Sequence, residues 1–183
     1  MRVSVMQVWC SLIILMVLCS LGAEAQVSHR VYRSSREFVE DFYKWYSALA
    51  LSENANSAPD IALKEKRSAF SSQLAQLLRE DSDAQARCAD LVGINFDPFL
   101  DYQEVAQRYV VGRITQKGRT YMADIYAVRS GEQGEKPDVT AEFVEKDGHW
   151  FFVNFDYPNG NDLLTILKSP RLPCSRPRPS RNK

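Results

Sequence analysis

The sequence predicts an α+β domain in which N-terminal helices pack on one face of a four-stranded antiparallel meander and a short helix closes the chain. Two observations carry this prediction. Apolar residues recur at helical spacing in the first half of the chain, and they alternate with a period of two in the second half. Helices first and strands afterwards are typical of α+β domains rather than of alternating α/β folds.

The first 25 residues have the pattern of a cleavable secretory signal peptide. Arg2 supplies a positive charge, Val8 to Leu21 is almost entirely apolar, and Ala23-Glu24-Ala25 offers small residues at a peptidase site. The apolar run is shorter than the roughly 20 residues that span a bilayer. We therefore expect cleavage after Ala25 and a periplasmic or secreted product without an integral membrane span. Lipid attachment at Cys19 is the alternative, disfavoured because the bulky Leu18 precedes it.

Residues 26–168 are predicted to form a single domain, and residues 169–183 a Pro- and Arg-rich tail. The domain carries 17 basic and 22 acidic side chains, a net of −5, which argues against nucleic acid as a partner. The tail is either a solubilising end or a segment that binds anionic envelope polymers or an acidic partner surface. Its cations are Arg171, Arg176, Arg178, Arg181 and Lys183.

Two cysteines remain after cleavage, Cys88 and Cys174. In an oxidising compartment, two cysteines in a small exported chain form a natural pair. A disulfide between them would tie the tail to the helical layer. Two unrelated free thiols are the alternative.

The helical half begins with a capping box, Ser34 to Glu37, which predicts a helix start. Asn54 to Pro59 breaks this helix, and Ile61–Phe70 is expected to form a short helical segment. The next helix is expected to start near Phe70 and to end before Gly93. The apolar face of the first helix is Phe38, Phe42, Trp45, Tyr46 and Leu49, and that of the later one is Phe70, Leu74, Leu77 and Leu78.

The strand half reads as two hairpins. Asp147-Gly148 is the strongest short hairpin signal in the chain, and Ser130–Pro137 is a longer connection between the hairpins. The predicted strands are Tyr109–Thr115, Thr120–Val128, Val139–Lys146 and Trp150–Tyr157, and the closing helix is Asp162–Lys168.

Strict alternation assigns side chains to the two faces of the sheet. In the last strand, it places Phe151, Val153, Phe155 and Tyr157 on one face and Trp150, Phe152, Asn154 and Asp156 on the other. In the second strand, Met122, Asp124, Tyr126 and Val128 oppose Tyr121, Ala123, Ile125 and Ala127. The polar groups expected among apolar neighbours are therefore Asp124, Tyr126, Asn154 and Asp156.

Three segments carry a resemblance: Phe42-Tyr43-Lys44-Trp45-Tyr46, Asp97-Pro98-Phe99, and the aromatic strand from Trp150 to Tyr157. Over roughly residues 36–168 they resemble the nuclear transport factor 2-like superfamily of cone-shaped α+β domains with a curved sheet. Within it, the chain is similar to a bacterial family of exported proteins of unknown function that includes the YbjP-type envelope lipoproteins, although it lacks a good lipobox. The resemblance implies a pocket between helices and sheet but carries over no catalytic residues.

Several residues are candidates for a site in such a pocket. The pocket or ligand-binding candidates are Tyr43, Tyr46, Asp97, Phe99, Tyr126 and Asn154. Asp124 or Asp156 would be a general base beside Tyr43 or Tyr157, as ketosteroid-isomerase-type relatives pair a carboxylate with a tyrosine. The alternative for the acids is a solvated strand face or an ion pair with Arg113.

The loop before the sheet also has two interpretations. With Asp101 and Gln103, Asp97 and Phe99 would form a recognition loop at the pocket mouth. Alternatively, Asp97 initiates a turn and Phe99 fills the core below it. Neither histidine, His29 nor His149, has metal-ligand spacing to another ligand residue, so no metal or cofactor is expected.

These observations favour a non-enzymatic exported module that binds a protein partner in the bacterial envelope. A carrier of a small apolar ligand in the cone is the first alternative. An isomerase- or dehydratase-like enzyme is the second. The oligomeric state is left open.

The signal peptide gives a direct prediction about the mature chain. We expect intact-mass measurement of the exported protein to give a polypeptide that begins at Gln26 and carries no lipid. A mass that retains residues 1–25, or an added diacylglyceryl group, would contradict it.

Overall fold

A computed structural model describes residues 34–89, 92–101, 106–170 and 174–176, all within one compact unit, Val31–Lys183. The predicted signal peptide lies outside the described residues, as do His29, Gln103 and every tail cation except Arg176.

The described residues form four helices, each with buried apolar residues on one face. The side chains of Ser34, Ser71 and Asp162 accept hydrogen bonds from backbone amides in the first turns that follow them. The helices are α1 (Ser35–Ala50), α2 (Ala58–Glu65), α3 (Ser72–Arg87) and α4 (Leu163–Lys168), with short 3₁₀ turns at Ala55–Ser57 and Arg67–Ala69. No described helix has the length and apolar character needed to cross a membrane.

The predicted helical segment Ile61–Phe70 is wrong at both ends. Helix α2 begins earlier, at Ala58, because Pro59 is tolerated in a first turn. Phe70 is extended and forms a parallel bridge with Phe152, and the amide of Ser71 donates to the Phe152 carbonyl. A backbone contact with the sheet thus overrides the helical pattern there.

The end of α3 also differs from the prediction. The helix stops at Arg87 and Cys88 is extended, so Gly93 does not act as the stop. Gly93 has a φ of +83° and lies against the side chain of Asp81, where a Cβ would overlap the carboxylate. Glycine at this position therefore allows the backbone after the helix to approach α3 closely.

The strands form one antiparallel sheet, which confirms the predicted α+β class. They are β1 (Arg108–Lys117), β2 (Thr120–Arg129), β3 (Glu132–Gln133), β4 (Val139–Lys146) and β5 (His149–Asp156), in the order β1-β2-β4-β5 with β3 paired to β2. The prediction of four strands missed β3. Positive φ angles at Ser130 and Gly131 turn the chain back so that Glu132 pairs with Arg129.

A bulge in β5 overturns the strict alternation predicted for this strand. Glu142 pairs with Asn154 and Phe143 pairs with Phe152, which leaves Val153 as an extra residue. Phe152 and Phe155 are therefore both fully buried, although they were assigned to opposite faces. The two-residue turn Asp147-Gly148 between β4 and β5, with positive φ at both residues, is as predicted.

The core between helices and sheet is built of aromatic rings. Phe42 of α1 packs against Phe70, Phe99 and Phe152, with ring centroids 4.8–5.6 Å apart. Phe155 also contacts Phe99 at 5.1 Å. Because rings of this size bury large apolar areas, this cluster dominates the packing of α1 on the sheet.

Cys88 and Cys174 form a disulfide, as predicted. The amide of Ala89 donates to the carbonyl of Arg176, a second contact that fixes the described part of the tail beside α3. A disulfide fits an exported protein in an oxidising compartment.

We expect reduction of this disulfide to destabilise the protein. It closes a loop with a sequence separation of 86, and the chain-entropy model gives up to about 4 kcal/mol for a loop of this size. Urea unfolding with and without reductant measures the difference. The Cys88→Ala/Cys174→Ala variant is the control and should be indifferent to reductant. Equal wild-type stability in both conditions would contradict the prediction.

Candidate functional site

The loop Asp97–Leu100 is the centre of a buried polar network. The hydroxyl of Tyr46 donates to Oδ2 of Asp97 at 2.6 Å. Oδ1 accepts from the backbone amides of Phe99 at 2.9 Å and Leu100 at 3.2 Å. Both carboxylate oxygens of Asp97 are therefore engaged by the protein itself. This is the turn-forming arrangement rather than one that leaves the carboxylate free for a ligand.

Two further tyrosines bind the same loop through its carbonyls. The hydroxyl of Tyr43 donates to the carbonyl of Phe99, and that of Tyr157 donates to the carbonyl of Pro98, both at 3.0 Å. Burial raises the pKa of both hydroxyls, and the nearby Asp97 adds to this. The two tyrosines considered as catalytic donors thus hold the loop, and they remain protonated at neutral pH.

Burial raises the pKa of Asp97 to about 6, although its three hydrogen bonds act in the opposite direction. Asp101, at the end of the loop, has a positive φ of 52° and a pKa raised by burial and by Asp138. A buried carboxylate with a shifted pKa is a feature of many active sites. Here Asp97 accepts hydrogen bonds from one hydroxyl and two amides of its own chain, so its carboxylate anchors the loop.

The space where a cone pocket is expected is occupied by side chains. Tyr43, Tyr46 and Phe99 are at most 1% exposed and belong to the core cluster. Tyr46 stacks on Phe42 at 5.5 Å and meets Phe99 edge-on at 5.1 Å. Among the described residues, no buried side-chain nitrogen or oxygen lacks a hydrogen-bond partner. The polar groups of this interior are satisfied by one another.

The opposite face of the sheet, here called the outer face, has a different character. On the side of the sheet that faces the helices, Ala141, Phe143 and Phe152 are fully buried. The residues that alternate with them along the strands, such as Glu142 and Phe151, lie on the outer face and are half-buried. Register places Val144 beside both Thr120 and Phe151, and Met122 beside Glu142. The half-buried apolar residues of the outer face are Val110, Met122, Tyr126, Val144, Phe151 and Val153.

Acidic side chains occupy the end of the outer face away from the hairpin turns. Asp124 and Asp156 both pair with Thr140, one from each side. Asp124 forms an ion pair with Arg113 at 3.7 Å, so the sequence-based alternative of an Arg113-held acid describes its position. Glu142 hydrogen-bonds to Asp156, and burial raises the pKa of both carboxyls.

The other predicted candidates lie around this face. The ring of Tyr126 covers Gly112 of β1, at a distance that leaves no room for a Cβ. Oδ1 of Asn154 accepts from the amide of Leu164 at 3.0 Å, which ties β5 to the start of α4. His149 begins β5, paired with Lys146 next to the turn. The structure thus separates the candidates into an interior group and an outer-face group.

Sequence reasoning missed Glu142 as a member of the acidic group. Glu142 lies opposite Asn154 because of the bulge at Val153, and strict alternation of side chains along β5 does not predict this pairing. Alternation within β4 does place Glu142 on the face opposite Phe143. That signal alone would have identified it as a neighbour of Met122 on the outer face.

Other parts of the chain contact both edges of the sheet. On the β1 edge, the guanidinium of Arg36 donates to the carbonyls of Val111 and Gly112 at 3.1 and 2.8 Å. On the β5 edge, Phe70 bridges to Phe152 and Asp162 bridges to Asp156. These contacts protect the edges against pairing with another strand.

The part of the chain that the structure describes contains no group of histidine, cysteine or acidic residues arranged to hold a metal ion. Comparison with known proteins gives no match to a family model, a curated protein or a solved structure.

We expect Asp97 to make stability fall as pH rises from about 4 to above 6. Its pKa is 3.8 unfolded and about 6 folded, so the folded state binds the proton more tightly. The stabilisation that comes from the tighter proton binding at Asp97 is fully present below pH 3.8. It is lost as the pH rises through 6, which lowers the free energy of unfolding by about 3 kcal/mol. Asp97→Asn keeps an acceptor for the two amides and removes this dependence.

Urea unfolding of both proteins across this pH range measures the effect. Asp147→Asn is the control, because it removes an exposed carboxylate from the hairpin turn and leaves the loop intact. A constant difference in free energy of unfolding between wild type and Asp97→Asn at all pH values would refute the assignment.

Proposed function

We propose that the mature chain is a non-enzymatic protein-binding module of the bacterial envelope that recognises its partner through the outer face of the sheet. One observation carries the proposal. Half-buried apolar side chains cluster on that face, while the described helices direct their buried residues to the core on the other side. A partly exposed apolar surface bordered by charged residues is a feature of protein interaction sites.

The compartment and the resemblance belong to the same proposal. The disulfide fits an oxidising environment, and the predicted signal peptide provides the route to it. The proposal includes a relationship between this module and the cone-shaped exported proteins that its sequence resembles. A periplasmic location in a bacterial envelope follows from that likeness and from the signal.

The two alternative functions have less support. A carrier needs an interior cavity lined by apolar side chains with a few polar groups, and rings of α1, the loop and β5 meet in the corresponding space. An enzyme of the isomerase type needs a carboxylate and a tyrosine that face a substrate. The hydroxyls of Tyr43 and Tyr157 instead bind the loop, and Asp124 pairs with Arg113.

We expect the double variant Val144→Thr/Phe151→Thr to lose partner capture. Threonine keeps the β-propensity but removes the apolar contact, and losing two large apolar contacts costs at least about tenfold in affinity. The tagged mature chain and its variants are used to capture proteins from native envelope extract, which are quantified by mass spectrometry.

Leu51→Thr is the matched control, because Leu51 is 53% exposed at the end of α1, away from the sheet. Circular dichroism and thermal unfolding establish that each variant is folded. A protein captured equally by wild type and by Val144→Thr/Phe151→Thr would place recognition elsewhere. Absence of any reproducible partner for the wild type would refute the proposed function.

A further inference from the structure

The outer face carries charge of opposite sign at its two ends. At the hairpin-turn end, Lys117 pairs with Thr120, and Lys146 pairs with His149. Apolar residues, including Val144 and Phe151, occupy the middle. At the far end are Asp124, Glu142 and Asp156. Strand register therefore places basic residues at the hairpin-turn end and the three carboxylates toward the far end, where Arg108, Val110 and Tyr126 of the same face also lie.

The acidic zone is only weakly neutralised by the residues that the structure describes. The guanidinium of Arg113 lies 3.7 Å from Asp124, and its side chain is 77% exposed. Because Arg113 is largely exposed, solvent screens its attraction for the half-buried carboxylate of Asp124. Glu142 and Asp156 have each other as neighbours, together with Asp162, which bridges to Asp156. Burial and this crowding of like charges raise the pKa of Glu142, so a cation placed here would relieve repulsion.

Contacts within the chain occupy part of each edge of the sheet, which hinders the addition of a strand from a partner. Arg36 occupies carbonyls of β1, and Phe70 and Asp162 occupy positions along β5. A partner is therefore not expected to add a strand to the sheet. It has to lie across the side chains of the face, where charge and apolar contacts decide its chemistry.

We infer that the partner presents a basic, apolar segment, which places an Arg or Lys side chain over Asp124, Glu142 and Asp156 and an aliphatic or aromatic side chain on Val144 and Phe151. This inference rests on the proposed function and adds the chemistry of the partner. Electrostatic complementarity of this kind fixes the orientation of the partner and speeds association.

Two synthetic peptides of equal length test the inference. They share a Leu/Val centre and differ only in flanking residues, which are Arg in one and Glu in the other. Fluorescence anisotropy with the full mature chain measures their affinities at low and physiological salt. We expect the Arg peptide to bind at least about tenfold more tightly than the Glu peptide, with a difference that shrinks as salt rises.

The variant Glu142→Gln/Asp156→Asn should weaken the Arg peptide at least about fivefold. The matched control Glu53→Gln/Glu135→Gln removes the same charge from exposed acids outside the strands and should leave affinity unchanged. An equal loss in both variants would reduce the effect to net charge and overturn the inference. Equal affinity of the two peptides for the wild type would overturn it as well.

Failure of this inference is distinguishable from failure of the proposed function. If capture from envelope extract still depends on Val144 and Phe151 while the Arg peptide shows no preference, only the basic chemistry of the partner is wrong. If capture does not depend on these two residues, the face itself is not the recognition surface.

Discussion

The hydrogen bonds between three buried tyrosines and the loop Asp97–Leu100 determine how the helical layer meets the sheet. Tyr43 and Tyr46 extend from α1, and Tyr157 follows β5, so one loop joins the first helix to the last strand. Phe99 projects from the loop into the centre of the aromatic core. The arrangement retains a buried carboxylate, whose ionisation opposes folding at neutral pH, and the ring packing around it offsets that cost.

This anchored interior has a consequence for function. Aromatic rings and satisfied hydroxyls fill the side of the sheet that faces the helices, and other parts of the chain contact both edges at single positions. On the outer face, half-buried apolar residues and carboxylates occur together. The packing behind the face keeps the strands in register, so its charged and apolar residues stay in fixed positions. A pre-organised surface loses less entropy on binding than a mobile one.

Particular residues explain which predictions failed. Phe70 has the apolar spacing of a helix face, yet its backbone pairs with Phe152, a residue far along the chain. The face of Phe155 was predicted from a perfect period of two, and the bulge at Val153 changed it. For Phe70 and Phe155, a contact between distant segments overrode a local pattern. Glu142 was overlooked although alternation within β4 places it on the outer face, and only its pairing with Asn154 depends on the bulge.

The sequence by itself determined the α+β class, the start of α1 at its capping box and the Asp147-Gly148 turn, and it favoured the pairing of Cys88 with Cys174 over two free thiols. These features follow from local hydrogen bonding, from backbone conformations that few residues adopt, and from the two cysteines that lie outside the predicted signal peptide. Only the tertiary structure decided that the tyrosines bind a loop and that the acids gather on the outer face. Such relations depend on strand register and on contacts between remote residues, which no local pattern encodes.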